Sequence, residues 1–197
     1  MNAERSVIVR ARAITKTIAT GAGDLTILKG VDLDLYPGEL TLLMGPSGSG
    51  KTTFLSILGC ILTATSGELT INGEQAVGQT AEGLADLRRR NIGFVLQGYN
   101  LFPTLTAHEN VLMALDVRGA RLADPMKSAR ESLISVGLGH RIDTFPSKLS
   151  GGEKQRVAIA RSLAGNPAVV LADEPTAALD SENGKAVMEL LAHVGQD

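Results

Sequence analysis

The chain has 197 residues, 44% of them hydrophobic and 20% charged, which is enough apolar material for one sizeable core. Its 19 Lys and Arg against 21 Asp and Glu leave a net charge of −2, so no basic excess argues for a nucleic-acid partner. A single cysteine, Cys60, excludes an intramolecular disulfide and a cysteine-based zinc cluster, and aromatics at 3% are too few for a base-stacking platform.

In chain order, residues 7–14 alternate loosely and read as a strand, and residues 21–24 as a turn. Residues 31–35 alternate strictly, as a half-buried strand does, and Pro37-Gly38 turns the chain. The short apolar run 40–44 has the composition of a strand buried on both faces. A glycine-rich stretch follows, then a helical segment over 52–62. Residues 68–73 read as a strand ending in an Asn-Gly turn, 84–90 as a short helix and 92–96 as a strand.

Three helix starts then carry cap chemistry. Thr106 with Glu109 forms a capping-box pattern, with a stop expected near Gly119. Asp124 followed by Pro125 is an N-cap with proline at the first helical position, and that helix should stop near Gly137. Ser150 with Glu153 is a second capping box, opening a helix to about Gly165. A buried strand at 169–172 and a helix at 181–194 complete the reading. Strands thus flank an all-helical stretch, 104–165, giving an α/β core with an inserted helical subdomain. No signal-peptide stretch opens the chain and no run nears ~20 apolar residues, so it is expected neither to span nor to cross a membrane.

Gly45-Pro46-Ser47-Gly48-Ser49-Gly50-Lys51-Thr52 fits G-x-x-x-x-G-K-[ST] between an expected strand and an expected helix. The glycines let successive N–H groups curl round phosphate oxygens, and the helix N-terminus adds positive dipole character. Lys51 can reach the β and γ phosphates, and the Thr52 hydroxyl can ligate Mg²⁺. Asp173 and Glu174 close the apolar run 169–172, placing the aspartate to hold Mg²⁺ and the glutamate to polarise a water. Ser150, Gly151 and Gly152 open a capped helix and form a second anion-ready surface; a plain helix cap is the alternative.

Gly45 to Thr52, Gln97, Leu149 to Gln155, Asp173-Glu174 and Ala177 to Asp180 resemble, in order, the Walker A, Q-loop, signature, Walker B and D-loop motifs of the ABC ATPases. The stretch 171–180 resembles most closely the ATPases of lipoprotein-release and macrolide-export systems. The resemblance implies a P-loop NTPase core with an N-terminal antiparallel β subdomain and an inserted α-helical subdomain. Residues 1–197 would form a single ATP-binding domain, with 1–103 and 166–197 as its α/β core and 104–165 as its helical signature subdomain. ATP and Mg²⁺ would be its cofactors. Residues 45–52, Thr53 and, from a second subunit, Ser150, Gly151 and Gly152 would bind nucleotide; Thr52, Gln97 and Asp173 would hold the metal. Gln97 and Glu174 would be catalytic, Glu174 as general base, and Asp180 would lie at the dimer seam. The implied partners are a second copy in a head-to-tail homodimer and a transmembrane permease, at the cytoplasmic face of the membrane. The permease would dock near residues 97–105, where Tyr99, Leu101 and Phe102 are candidates; packing of Leu101 and Phe102 inside the helical subdomain is the alternative.

Two departures from the family stand out. No aromatic residue occupies 14–18, where the family stacks on adenine; Ile18 offers only an aliphatic face. The family's switch histidine follows a strand beyond Asp197, and on this reading residues 1–197 hydrolyse ATP poorly and leave the edges of 40–44 and 169–172 open. His193 falls in an expected helix, and His108 and His140 match no motif. A soluble ABC ATPase of the DNA-repair or translation type, and a chain that binds nucleotide without turnover, are the other readings.

Overall fold

The computed structural model describes residues 6–21, 23–96, 98–119, 123–177 and 179–194. They divide into two compact units, the first running to Asn91 and the second from Ile92 to Val194. Gln97, Ala178 and the side chain of His193 lie outside the described residues.

The first unit is built on a long hairpin. Strand β1 (Val9–Thr20) pairs antiparallel with β2 (Gly23–Leu35) on one side and with β3 (Ser66–Ile71) on the other. The two-residue strand β4 (Glu74–Gln75) completes the order β2-β1-β3-β4. Alternation in β1 is loose because the strand bulges. Ala13 takes a φ of 47°, its N–H bonds the Asp32 carboxylate, and the register slips there. The slip changes the inward phase, so Val9, Ala11 and Ile14 are all buried. Asn72 and Gly73, with φ of 49° and 79°, make the two-residue turn that joins β3 to β4.

Helix α1 (Lys51–Leu58) is shorter than the sequence suggests, closing at Gly59 rather than near residue 62. Cys60 turns left-handed there, with its N–H on the Ile57 carbonyl. Helix α2 (Ala81–Asn91) follows. Ile57 of α1, Leu69 of β3 and Leu84 of α2 line one small cavity, marking where the elements of this unit converge.

Residues 40–44 correct the sequence reading. They form no strand among the described residues, and Leu40, Leu42 and Met44 are 49%, 61% and 88% exposed. An apolar run becomes a doubly buried strand only when other strands pair with its backbone and other elements cover its faces. Composition shows the demand for burial but not whether it is met.

In the second unit, β5 (Ile92–Val95) and β6 (Val169–Ala172) pair in parallel, Ile92 opposite Val169 and Val95 opposite Ala172. Parallel strands need a long crossover. Here it carries α3 (Ala107–Arg118), α4 (Pro125–Ser135), a 3-10 turn at Pro146–Lys148 and α5 (Gly151–Leu163). Helix α6 (Ser181–Val194) follows β6. Val95, Val111, Leu115, Leu133, Leu138, Val157, Ile159 and Val187 belong to one buried cluster, so the helices of 104–165 share a core with β5 and α6. Gly93 permits the close approach: a Cβ there would overlap the Ser162 carbonyl oxygen of α5.

All three sequence-read caps form. Thr106 and Glu109 exchange both capping-box bonds, Asp124 accepts from the Lys127 N–H, and Ser150 and Glu153 exchange both bonds again. Each such cap stabilises its helix by about 1 kcal/mol. Gly119, at φ 61°, ends α3 in the left-handed conformation. Among the described residues no helix is long and apolar enough to cross a membrane.

Candidate nucleotide site

The glycine-rich loop belongs to the first unit. Gly48 and Gly50 have φ of 79° and 90°, values that few L side chains accept. Gly50 is also sterically required, since a Cβ would sit 2.8 Å from Leu28 Cδ2 and 3.2 Å from Ile27 Cγ2 of β2. β2 therefore backs the loop where it enters α1.

The start of α1 differs from its neighbours in one respect. Its N-cap is Gly50, which offers no side-chain bond, and its first turn holds no acid. Helices α3, α4 and α5 each receive a side-chain cap. Backbone N–H groups at a helix start point out of the helix, and the helix dipole adds positive potential there. Lys51, in that first turn, folds back so that Nζ donates to the carbonyl oxygens of Gly45 at 2.8 Å and Pro46 at 2.9 Å. A cation, a run of glycine N–H groups and an uncapped helix start together suit an anion bearing several oxygens. Ser47, Ser49 and Thr52 are exposed on the same stretch and Thr53 is half-buried.

The remaining candidates belong to the second unit. Asp173 continues the β5–β6 ladder through its N–H, which donates to the Val95 carbonyl at 3.0 Å. Its position at a strand end therefore comes from sheet pairing. Glu174 is exposed and takes a φ of 47°, a conformation costing a non-glycine residue about 1–2 kcal/mol. Strain of this kind clusters at functional sites.

At the start of α5, the Ser150 N–H donates to Glu153 Oε2 at 2.8 Å, and Arg141 Nε donates to Oε1 at 2.9 Å. The Ser150 amide first, and Arg141 with it, hold the Glu153 carboxyl below the usual range. The two glycines are close-packing positions as well as helix starts. A Cβ on Gly151 would lie 3.1 Å from the Tyr99 hydroxyl, and one on Gly152 would overlap Asn183. Asp180 is the cap of α6, its Oδ1 accepting from the Asn183 N–H at 2.9 Å.

Two polar residues that the sequence reading passed over shape the neighbouring segment. Arg161 of α5 donates to the carbonyl oxygens of Tyr99 and Asn100. Asn110, fully buried in α3, accepts from the Phe102 N–H and donates to the carbonyls of Phe102, Leu105 and Thr106. A polar residue between Glu109 and Val111 at a helix start was the available signal. These bonds sort the three docking candidates. Leu101 packs against the buried cluster, Tyr99 is half-buried, and only Phe102 is exposed, at 45%. His108 is buried with its Nε2 2.9 Å from the Met126 carbonyl, and Ile18 is 43% exposed opposite Leu25.

A family described as ABC transporter matches residues 28–177. The chain belongs to the ABC transporter family. It is 47% identical over 189 residues to the macrolide export ATP-binding/permease protein MacB of Brucella melitensis, covering 96% of this chain and 29% of that protein. It is 46% identical over 191 residues to the lipoprotein-releasing system ATP-binding protein LolD 2 of Rhodospirillum rubrum, covering 96% of this chain and 83% of that one. The chain thus spans less than a third of the MacB protein and most of the LolD protein. Among solved structures, a dimer of the ATP-binding cassette MJ0796 in a post-hydrolysis state with ADP and Pi has a TM-score of 0.85 and 42% identity, covering 95% of this chain and 83% of that one. The fold is that of an ABC ATP-binding cassette, of the lipoprotein-release and macrolide-export type.

Proposed function

We propose that this ABC cassette binds MgATP and hydrolyses it to power a transmembrane permease at the cytoplasmic face of the membrane. Residues 1–197 act as one ATP-binding domain, with 1–103 and 166–197 as the α/β core and 104–165 as the helical signature subdomain. Two copies pack head to tail, each ATP lying between residues 45–53 of one and Ser150, Gly151 and Gly152 of the other. The MJ0796 cassette, which is dimeric with ADP and Pi, supports the dimer, and the names of the MacB and LolD relatives support the permease.

The observation that carries nucleotide binding is the uncapped start of α1 beside Lys51. The site residues keep the roles that the sequence gives them. Thr52 and Asp173, with Gln97, hold Mg²⁺. Among the described residues no cluster of three or more His, Cys, Asp or Glu could hold a metal alone. Mg²⁺ usually takes few protein ligands and completes its shell with phosphate oxygens and water. Glu174 accepts the proton of the attacking water, helped by Gln97. The exposed Phe102, its backbone held by Asn110, meets the permease.

Two measurements test this reading. Phosphate release from MgATP tests hydrolysis, and co-sedimentation with vesicles that do or do not carry a transmembrane permease of the MacB type tests the partner. Absence of phosphate release, with or without permease, removes the reading.

A further inference from the structure

Asn183 belongs to none of the motifs above, yet it joins two of them within the second unit. Its backbone N–H donates to Asp180 Oδ1 at 2.9 Å and its side-chain Nδ2 to Asp180 Oδ2 at 2.8 Å, so one carboxylate holds the residue at both ends. The other end of the same amide, Oδ1, rests against Gly152, where any Cβ would overlap it. One residue earlier, a Cβ on Gly151 would lie 3.6 Å from Leu179 Cδ2. Leu179, just before α6, and Asn183, in its first turn, therefore bear on the first turn of α5 at two successive positions.

We propose that Asn183 is a positioning residue. It fixes the turn 150–152 at the start of α5 and makes that turn follow the position of Asp180. The chemistry favours asparagine. Its short amide presents two donor hydrogens to a carboxylate and an oxygen to the neighbouring backbone. Aspartate would set two carboxylates against each other, and alanine would leave both Asp180 and Gly152 without the contact. This packing accounts for Gly152, where a Cβ overlaps the Asn183 amide, whereas at Gly151 a Cβ comes only to 3.1 Å of the Tyr99 hydroxyl. The inference rests on the proposal that residues 150–152 touch nucleotide, and it deepens it. Asp180 and the signature turn move as one body because Asn183 lies between them.

The test compares Asn183→Ala with the parent chain by hydrogen exchange at the amides of Glu153 and Lys154, by kcat and by calorimetric MgATP affinity. Lost positioning raises exchange at those two amides several-fold. It lowers kcat about ten- to a hundredfold, the scale of small misplacements in a reacting site. It leaves MgATP affinity at residues 45–53 unchanged. Gly152→Ala, which sets a methyl against the Asn183 amide, raises exchange at the same two amides and lowers kcat in the same way. Unchanged exchange and kcat in Asn183→Ala overturn the proposal. So does a kcat loss matched by an equal loss of melting temperature and MgATP affinity, which marks a purely structural residue. If the parent chain releases no phosphate, the proposed function fails, and hydrogen exchange alone decides the role of Asn183.

Discussion

The Lys51 ammonium donates to the Gly45 carbonyl oxygen at 2.8 Å, from the first turn of α1 back across the glycine-rich loop. The loop thus holds its own cation with its own carbonyls, and a phosphate oxygen would compete for the same ammonium. Charge-assisted bonds to phosphate contribute about 1.5–3 kcal/mol each. Lys51→Ala is expected to weaken MgATP binding at least about a hundredfold in titration calorimetry, without lowering the melting temperature. Unchanged affinity would remove the loop from the nucleotide site.

Glu174 is expected to serve hydrolysis and not binding. Glu174→Gln preserves shape and removes the base, and general-base contributions run at about 10²–10⁴-fold. The variant should bind MgATP as the parent does, release phosphate at least about a hundredfold more slowly and accumulate as a dimer in ATP-containing gel filtration. Turnover at the parent rate would exclude Glu174 as the base.

The cap of α5 is expected to lose its contribution to stability at acidic pH. The Ser150 N–H, then Arg141, hold the Glu153 carboxyl below its usual range. A carboxyl depressed on folding stabilises the native state above its unfolded pKa of about 4.3, and that stability is lost as pH falls through the lower folded value. Urea midpoints measured from pH 6 to pH 3 should therefore fall, and Glu153→Gln should flatten part of the slope. An identical slope in both chains would show that the cap bonds do not persist in solution.

Gly93 tests the packing of α5 on β5. A methyl there meets the Ser162 carbonyl, a backbone atom that cannot rotate away. Gly93→Ala should cost about 1–3 kcal/mol, typical of overpacking, and lower the melting temperature by several degrees. A neutral effect would mean that the Ser162 carbonyl does not pack against Gly93.

Phe102 separates the permease contact from folding. It is 45% exposed, while Leu101 beside it packs against the buried cluster. Phe102→Ser should spare basal phosphate release and reduce permease-stimulated release several-fold; Leu101→Ser should lower stability. Equal loss of basal and stimulated activity in Phe102→Ser would place that ring in the core.

Features written in the sequence span a few residues. The boxes Thr106 with Glu109 and Ser150 with Glu153, the Asp124-Pro125 start and the Asn72-Gly73 turn all form, because each is closed by bonds within four residues. The loop at 45–52 was legible for the same reason: glycines, a lysine and a helix start in a fixed order make their own local geometry. Other features depended on residues far along the chain. Whether 40–44 is a buried strand depends on strands that pair with it, and here it lies exposed. Which of Tyr99, Leu101 and Phe102 faces outward was decided by Arg161 and Asn110, which hold the backbone between them. The close packing at Gly151 and Gly152 comes from Tyr99 and Asn183, residues 52 and 31 positions from them. Hydrogen bonds between near neighbours need little but local chain order, whereas burial and close approach belong to whatever the rest of the chain brings alongside.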